Sequence, residues 1–371
     1  MIASSSNALD VARDAYRNIS LYSPNRTPAA IDLSDNTNLW GIPPVAAATI
    51  REVATAAVTR YPALYVTDVK RAIADYLDVT PDMVVTGCGS DDVLDSAIRA
   101  FGNPGDTVAC PDPSFAMIPI FARMNGLNPV LVPLTPTFDV DVNAMVSARA
   151  KIAYLCSPNN PTGGALARES IEQVIDAAAG VVIIDEAYAE FASGNALDLL
   201  RRSSRVLITR TMSKAFGLAG LRIGYAVGDP ALVVEVEKSR GPYKVNGLAE
   251  RAAVAALTSD RTWVAEHVTE AIENRERLQQ SLHALGLSPL PSQANFVLVP
   301  VTGAVEIDRV MRERGVAVRP FTTLPGIGDA LRISVGPWPM VEECVRVLGD
   351  VLVEQGKAPT STPVAAPGAR V

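Results

Sequence analysis

The sequence predicts an α/β fold in which a mainly parallel sheet covered by helices is followed by a smaller α+β unit. Two observations predict it. Short apolar runs recur between residues 83 and 227, separated by segments with helical spacing of their apolar residues. Strands buried on both faces of a parallel sheet read in this unalternating way. From Leu248 the pattern changes to long helices, Leu248–Leu257 and Arg261–Leu285, and then to a second set of strand-like runs. A length of 371 residues suits about two domains with sizeable cores, and 48% hydrophobic against 20% charged residues is the composition of a globular chain.

Residues 1 to about 15 read as a loosely held arm, and Arg17–Pro28 (RNISLYSPNRTP) is rich in turn formers. Helical spacing then runs over Val45–Tyr61 and Thr67–Leu77, with the RYPALY turn between them and Tyr61 on that turn. Met83–Thr86 is a strand, Gly87–Gly89 a tight turn, and a helix starts at Ser90 with Asp91 and Asp92 in its first turn. Unpaired N–H groups at such a start attract an anion, which makes Gly89, Ser90 and Asp91 candidate phosphate ligands; an ordinary capped helix shows the same pattern.

The strand series continues with Thr107–Cys110, Pro129–Pro133, Lys151–Cys156, Val181–Ile184, Val206–Thr209 and Ile223–Val227. Ligands of a doubly wound sheet sit beyond the carboxyl ends of its strands, so the residues that follow three of these runs carry the chemistry. Asn160 follows the first, in SPNNPTGG. Asp185 and Tyr188 follow the second. Thr211, Ser213 and Lys214 follow the third, ahead of Gly217, Gly220 and Arg222. A lysine held between a strand end and a glycine-containing loop is partly desolvated, which favours its neutral amine and makes it a candidate Schiff-base nucleophile. Thr211, Ser213 and Arg222 are phosphate donors around it. Taken alone, this stretch also describes a solvated lysine on a surface loop. Joined to the other two strand ends, it points to pyridoxal 5'-phosphate, with Asp185 placed to keep the pyridine nitrogen protonated and Tyr188 and Asn160 to bond the ring's phenolic oxygen.

SPNNPTG, IIDEAYAEF and TMSKAFGLAGLRIGY together resemble the fold-type I pyridoxal-phosphate aminotransferases. GPYKVN at Gly241–Asn246 and GSDDVLDSAIRAF at Gly89–Phe101 resemble the histidinol-phosphate aminotransferase branch, and the resemblance runs from about Tyr16 to about Val353. It implies an N-terminal arm and a segment near a dimer interface over residues 1–44, a large cofactor-binding domain over 45–247 with one antiparallel strand in its sheet, and a small domain over 248–356. It implies a homodimer in which Tyr61 bonds the partner's cofactor phosphate and Tyr22 reaches the partner's substrate pocket; each tyrosine also reads as ordinary packing. Phe115 stands where the family usually places a tyrosine stacked on the pyridine ring, keeping the aromatic face and losing the hydroxyl. Arg332, in ALRISVG, and Arg319, in VAVRP, match the arginines that hold the substrate's anion. An arginine in an apolar strand needs a partner, which a ligand or an internal ion pair supplies. Asn36 lies on the substrate side in IDLSDNTNLWG, where Thr37 and Leu39 replace the glutamate and proline of the family's usual NENP-like sequence.

The implied activity is transamination between histidinol phosphate and 2-oxoglutarate. Aromatic amino acids are an alternative substrate, and a threonine-phosphate decarboxylase-like enzyme is an alternative on the same scaffold; GLAGLR rather than a proline-containing turn after the lysine leans towards transamination. A non-catalytic cofactor-binding regulator would need a DNA-binding domain for which the chain has no room.

A net charge of −7 gives no basic surplus to neutralise a nucleic-acid backbone. Cys88, Cys110, Cys156 and Cys344 form no CxxC pair, and the two histidines, His267 and His283, both fall in the helical stretch Arg261–Leu285, so no metal site is expected. MIASSSNALD lacks the features of a secretory signal and no apolar run reaches the roughly 20 residues of a membrane span, which reads as a cytoplasmic protein. Strands are expected at Asn295–Val299, Val316–Arg319 and Ala330–Val335, helices at Val305–Arg314 and Met340–Glu354, and a disordered Pro-, Ala-, Ser- and Thr-rich tail over Lys357–Val371.

Overall fold

The computed structural model describes residues 12–17, 19, 21, 27–53, 59–65 and 67–356. Most of the expected loose arm, Tyr22 and the expected tail 357–371 lie outside the described residues. The strands, in chain order, are β1 (Ile31–Asp32), β2 (Val84–Gly87), β3 (Thr107–Asp112), β4 (Asn128–Pro133), β5 (Ile152–Cys156), β6 (Val181–Asp185), β7 (Val206–Thr211), β8 (Gly224–Gly228), β9 (Phe296–Pro300), β10 (Val316–Ala317), β11 (Arg319–Leu324) and β12 (Gly328–Ser334).

Seven of them form one sheet in the order β2-β8-β7-β6-β5-β3-β4. Only β8 runs against its neighbours, antiparallel to both β2 and β7; the remaining pairings are parallel. This is the mainly parallel, helix-covered sheet with one reversed strand of fold type I. The apolar runs of β5, β6 and β7 are buried throughout because both faces are covered. Ile152, Tyr154, Cys156, Val181, Ile183 and Leu207 pack on one side with the helix Ser90–Phe101. Ala153, Leu155, Val182, Ile184, Val206 and Ile208 pack on the other with the helix Arg168–Ala177. Side chains alternate along a strand, so Asp185 shares the face of Val181 and Ile183, and Thr209 and Thr211 share the face of Leu207. That face carries the cavity described below.

A three-stranded antiparallel sheet, β11-β12-β9, follows, packed against the long helices Arg261–Ala284 and Trp338–Glu354. Val316–Arg319 does not form the single strand its composition suggests. Val318 N–H donates to Asp308 Oδ1 at 3.1 Å, so the chain leaves β10 there and begins β11 at Arg319, directly opposite Arg332. β1 pairs in parallel with β10, which ties the segment before residue 44 to the C-terminal unit. The helix expected over Val45–Tyr61 is described over Pro44–Val53; residues 54–58 lie outside the described residues, and Tyr61 is in an irregular segment. Among the described residues, no helix is long and apolar enough to cross a membrane.

Candidate active site

The carboxyl ends of the parallel strands converge on one edge of the large sheet, and the reversed β8 enters from that same edge. A cavity of about 340 Å³ opens there. Its wall contains Ser90 and Asp91 after β2, Phe115 after β3, Asn160 after β5, Asp185 at the end of β6 and Tyr188 after it, Thr211 at the end of β7 with Ser213 and Lys214 after it, and Arg222 before β8. Asp35, Asn36 and Thr37 of the N-terminal segment and Arg332 of β12 close the other side.

Lys214 is partly buried, with Nζ donating to the Asp35 carbonyl at 3.1 Å and lying 5.8 Å above the Tyr188 ring. Burial first, and then the Arg332 charge, lower its pKa to about 8. Asp185 is 3% exposed. Burial raises its carboxyl to about 6 although Tyr154 donates to Oδ2 at 2.8 Å and Ala187 N–H to Oδ1 at 3.2 Å. A base with a lowered pKa and an acid with a raised one thus share a single cavity, an arrangement characteristic of functional sites.

At one end lie the donors suited to an anion. The helix Ser90–Phe101 starts after Gly89 without a side-chain cap, leaving its first N–H groups for a ligand. Thr211 and Ser213 hydroxyls are 3.0 Å apart, and the Arg222 guanidinium is 3.7 Å from the Asp91 carboxylate. Two glycines bring these parts together. A Cβ on Gly224 would lie 2.2 Å from Ser90 N, so β8 could not approach the helix start with any other residue there. A Cβ on Gly89, where φ is +82°, would lie 2.5 Å from Arg222 Nη2.

At the opposite end Arg332 is 8% exposed. Among the partners of its guanidinium are two neutral oxygens: Asn160 Oδ1 accepts from Nη1 at 2.7 Å and the Ser34 carbonyl from Nη2 at 2.8 Å. Its Cζ also stands 5.3 Å from the Phe296 ring centroid and 5.7 Å from that of Phe321. Asn36 is buried beside it, with Nδ2 donating to the Tyr188 hydroxyl at 3.1 Å.

Comparison with known proteins decides the family. The model of the aminotransferases of class I and II matches residues 28–348. The chain belongs to the class I and II aminotransferases. It is 34% identical to a histidinol-phosphate aminotransferase of Thermoanaerobacter pseudethanolicus, over 88% of this chain and 94% of that protein. It is 35% identical to an aromatic amino acid aminotransferase of Nocardia farcinica, over 87% and 92%. The crystal structure of histidinol-phosphate aminotransferase from Sinorhizobium meliloti in complex with pyridoxal-5'-phosphate superposes with a TM-score of 0.85 at 25% identity, covering 95% of this chain and 99% of that one.

The cofactor of these aminotransferases is pyridoxal 5'-phosphate, and the cavity fits it. An amine poised near neutrality, a buried carboxyl that a cationic ring nitrogen would ionise, and an uncapped helix start beside an arginine and two hydroxyls are the donor set this molecule requires. Tyr22 lies outside the described residues, and three of the expected residues that are described are not on the cavity wall. Gly89 lies just behind it as the helix cap; Tyr61 is 83% exposed and stacked on Tyr243, 4.9 Å between centroids; Arg319 sits opposite Arg332 on β11.

Other aminotransferase residues escaped the sequence reading. Tyr154 bonds Asp185, and its signal was present: a tyrosine inside a buried strand requires a partner for its hydroxyl. Arg210 donates to Glu186 Oε2 from Nε at 3.0 Å and Nη2 at 2.7 Å, a buried pair that links the ends of β6 and β7. No pattern in the sequence relates Ser334 and Asn295 to Asn36, because the three meet only through the fold.

Proposed function

We propose that this aminotransferase transfers the amino group of histidinol phosphate to 2-oxoglutarate. The observation that carries the reading is the single cavity in which Lys214, Asp185 and Arg332 stand together; the similarity to histidinol-phosphate aminotransferases supports the substrate. In this reading Ser90, Asp91, Thr211, Ser213 and Arg222 surround the cofactor phosphate, with Gly89 giving the helix start its shape. Phe115 packs on the ring, and Tyr188 and Asn160 bond its phenolic oxygen; Asn160 Oδ1 is taken by Arg332, which leaves Nδ2 to donate.

Bound pyridoxal phosphate supplies the sink for the electron pair left at the donor's Cα. Asp185, as a carboxylate, holds the ring nitrogen protonated. Lys214 Nζ takes the proton from Cα, for which an amine with a pKa of about 8 is well matched to neutral conditions. Arg332, with Arg319 beside it on the neighbouring strand, binds the substrate's anion and orients the donor.

Residues 45–247 and 248–356 are read as the large and small domains, in line with the separate sheets they carry. The assembly is read as a homodimer with Tyr61 and Tyr22 acting on the partner's site, and its location as cytoplasmic. The outward exposure of Tyr61, and of Ile42, Val45, Leu64 and Tyr65 in the same stretch, supports the dimer.

A second reading, an aromatic amino acid aminotransferase, is favoured by Phe115 on the wall and by the phenylalanine rings at Arg332, which suit an aromatic carboxylate. Competing the two donors with 2-oxoglutarate as acceptor tests the choice. A kcat/KM for histidinol phosphate at least about tenfold above that for phenylalanine is expected, a difference of about 1.4 kcal/mol. The reverse preference would transfer the assignment to the aromatic substrate.

A further inference from the structure

All the polar groups of Asn36 are engaged in the folded chain. Its backbone N–H donates to Ser334 Oγ at 2.8 Å, and its carbonyl accepts from Asn295 Nδ2 at 3.1 Å. In the side chain, Oδ1 accepts from the Ser334 hydroxyl at 2.9 Å and Nδ2 donates to the Tyr188 oxygen at 3.1 Å. Asn36, Ser334 and Tyr188 are each no more than 3% exposed, so bulk water does not compete for these bonds. Asn36 itself is held at a φ of 55°, a left-handed conformation that asparagine adopts more readily than most residues.

Counting protons gives this chain of bonds a direction. A backbone N–H can only donate, so the Ser334 oxygen is an acceptor towards Asn36 N and keeps its single proton for another oxygen. That proton goes to Oδ1 in the amide orientation the structure has, with Oδ1 towards Ser334 and Nδ2 towards Tyr188. Nδ2 carries protons and no acceptor capacity, so it occupies a lone pair of the tyrosine oxygen and leaves the tyrosine's own proton free to point elsewhere. Tyr188 is part of the cavity wall.

We infer that Asn36 and Ser334 are positioning residues that turn the Tyr188 hydroxyl proton into the cavity, so that it is donated to the phenolic oxygen of the pyridoxal ring. This rests on the proposed role of Tyr188 and replaces a direct substrate contact by Asn36 with an action through the tyrosine. Ser334 lies two residues beyond Arg332 on β12, on the same face of the strand. The strand that carries the proposed substrate arginine therefore also sets the direction of the tyrosine proton.

The test is the pH midpoint of the visible absorption of the pyridoxal phosphate-loaded protein, compared in wild type, Ser334→Ala, Asn36→Asp and Tyr188→Phe. Without the serine proton the amide can turn its oxygen to Tyr188, and an aspartate presents acceptors on both sides; either change draws the tyrosine proton away from the ring. Both variants are expected to raise the midpoint by about one pH unit, the size of one hydrogen bond to the ionised form. In Tyr188→Phe the midpoint should also rise, and adding Ser334→Ala to it should produce no further shift. Loss of the serine hydroxyl as a mere packing or stability effect would lower the melting temperature without moving the midpoint. A midpoint unchanged in Ser334→Ala while Tyr188→Phe shifts it would overturn the relay alone. If Tyr188→Phe leaves it unchanged as well, the role given to the tyrosine falls together with the relay.

Discussion

Lys214 and Asp185 are displaced from their ordinary ionisation in opposite directions by the same cause, burial at the strand ends. For Lys214 the neutral amine becomes the majority form as pH rises through about 8. The rate at which cofactor-free protein captures pyridoxal phosphate is therefore expected to rise about tenfold per pH unit below that value and to level off above it; stopped-flow absorbance measures this, and a flat profile would contradict it. The sign for Asp185 is the opposite. A carboxyl whose folded pKa exceeds its unfolded value stabilises the protein below the unfolded value of 3.8 and loses that contribution as pH rises through about 6. Asp185→Asn should accordingly stabilise the cofactor-free protein at neutral pH, by on the order of 2 kcal/mol, while lowering transamination at least about 100-fold. Thermal melting and a coupled assay together check both halves. These two residues were legible in the sequence because each follows an unmistakable buried strand. Their environment was not: Tyr154, Arg332 and the Asp35 carbonyl reach them from distant parts of the chain.

The reversed strand β8 and the helix Ser90–Phe101 meet at the proposed anion end of the site, and glycine is what lets them touch. Gly89→Ala forces a Cβ into the Arg222 guanidinium and puts alanine at a φ of +82°. The expected cost in stability is about 1–2 kcal/mol, together with a loss of cofactor affinity of about tenfold or more as Arg222 is pushed aside; fluorescence titration and melting separate the two. An affinity equal to wild type would mean that Arg222 does not serve the phosphate. The strand and helix order could be read from runs of apolar residues, and the seven-stranded sheet follows it closely. Register and breaks could not. Nothing local says that Val318 gives its N–H to Asp308 and so divides β10 from β11, or that Ile31 and Asp32 pair with Val316 and Ala317. These are long-range choices, made where a backbone group finds its partner.

For the whole molecule, the proposed dimer places Tyr61 in the partner's site, and complementation tests it. Lys214→Ala and Tyr61→Ala variants, each poorly active alone, should regain about a quarter of wild-type activity after unfolding and refolding as a mixture, since half the dimers would be mixed and one of their two sites complete. No recovery would show that Tyr61 serves its own subunit or none. The long helices and second sheet after residue 247 were legible as a change of pattern, whereas the joining of the N-terminal segment to that unit, through β1 and through Asn36, became visible only in the folded chain.

The proposed attachment of pyridoxal phosphate to Lys214 is checked by borohydride reduction of the loaded protein followed by peptide mass mapping. The expected result is a single stoichiometric pyridoxyl-phosphate adduct on Lys214, absent from Lys214→Ala. An adduct on another lysine, or none at all in a protein whose cavity is intact, would mean that Lys214 does not hold the cofactor.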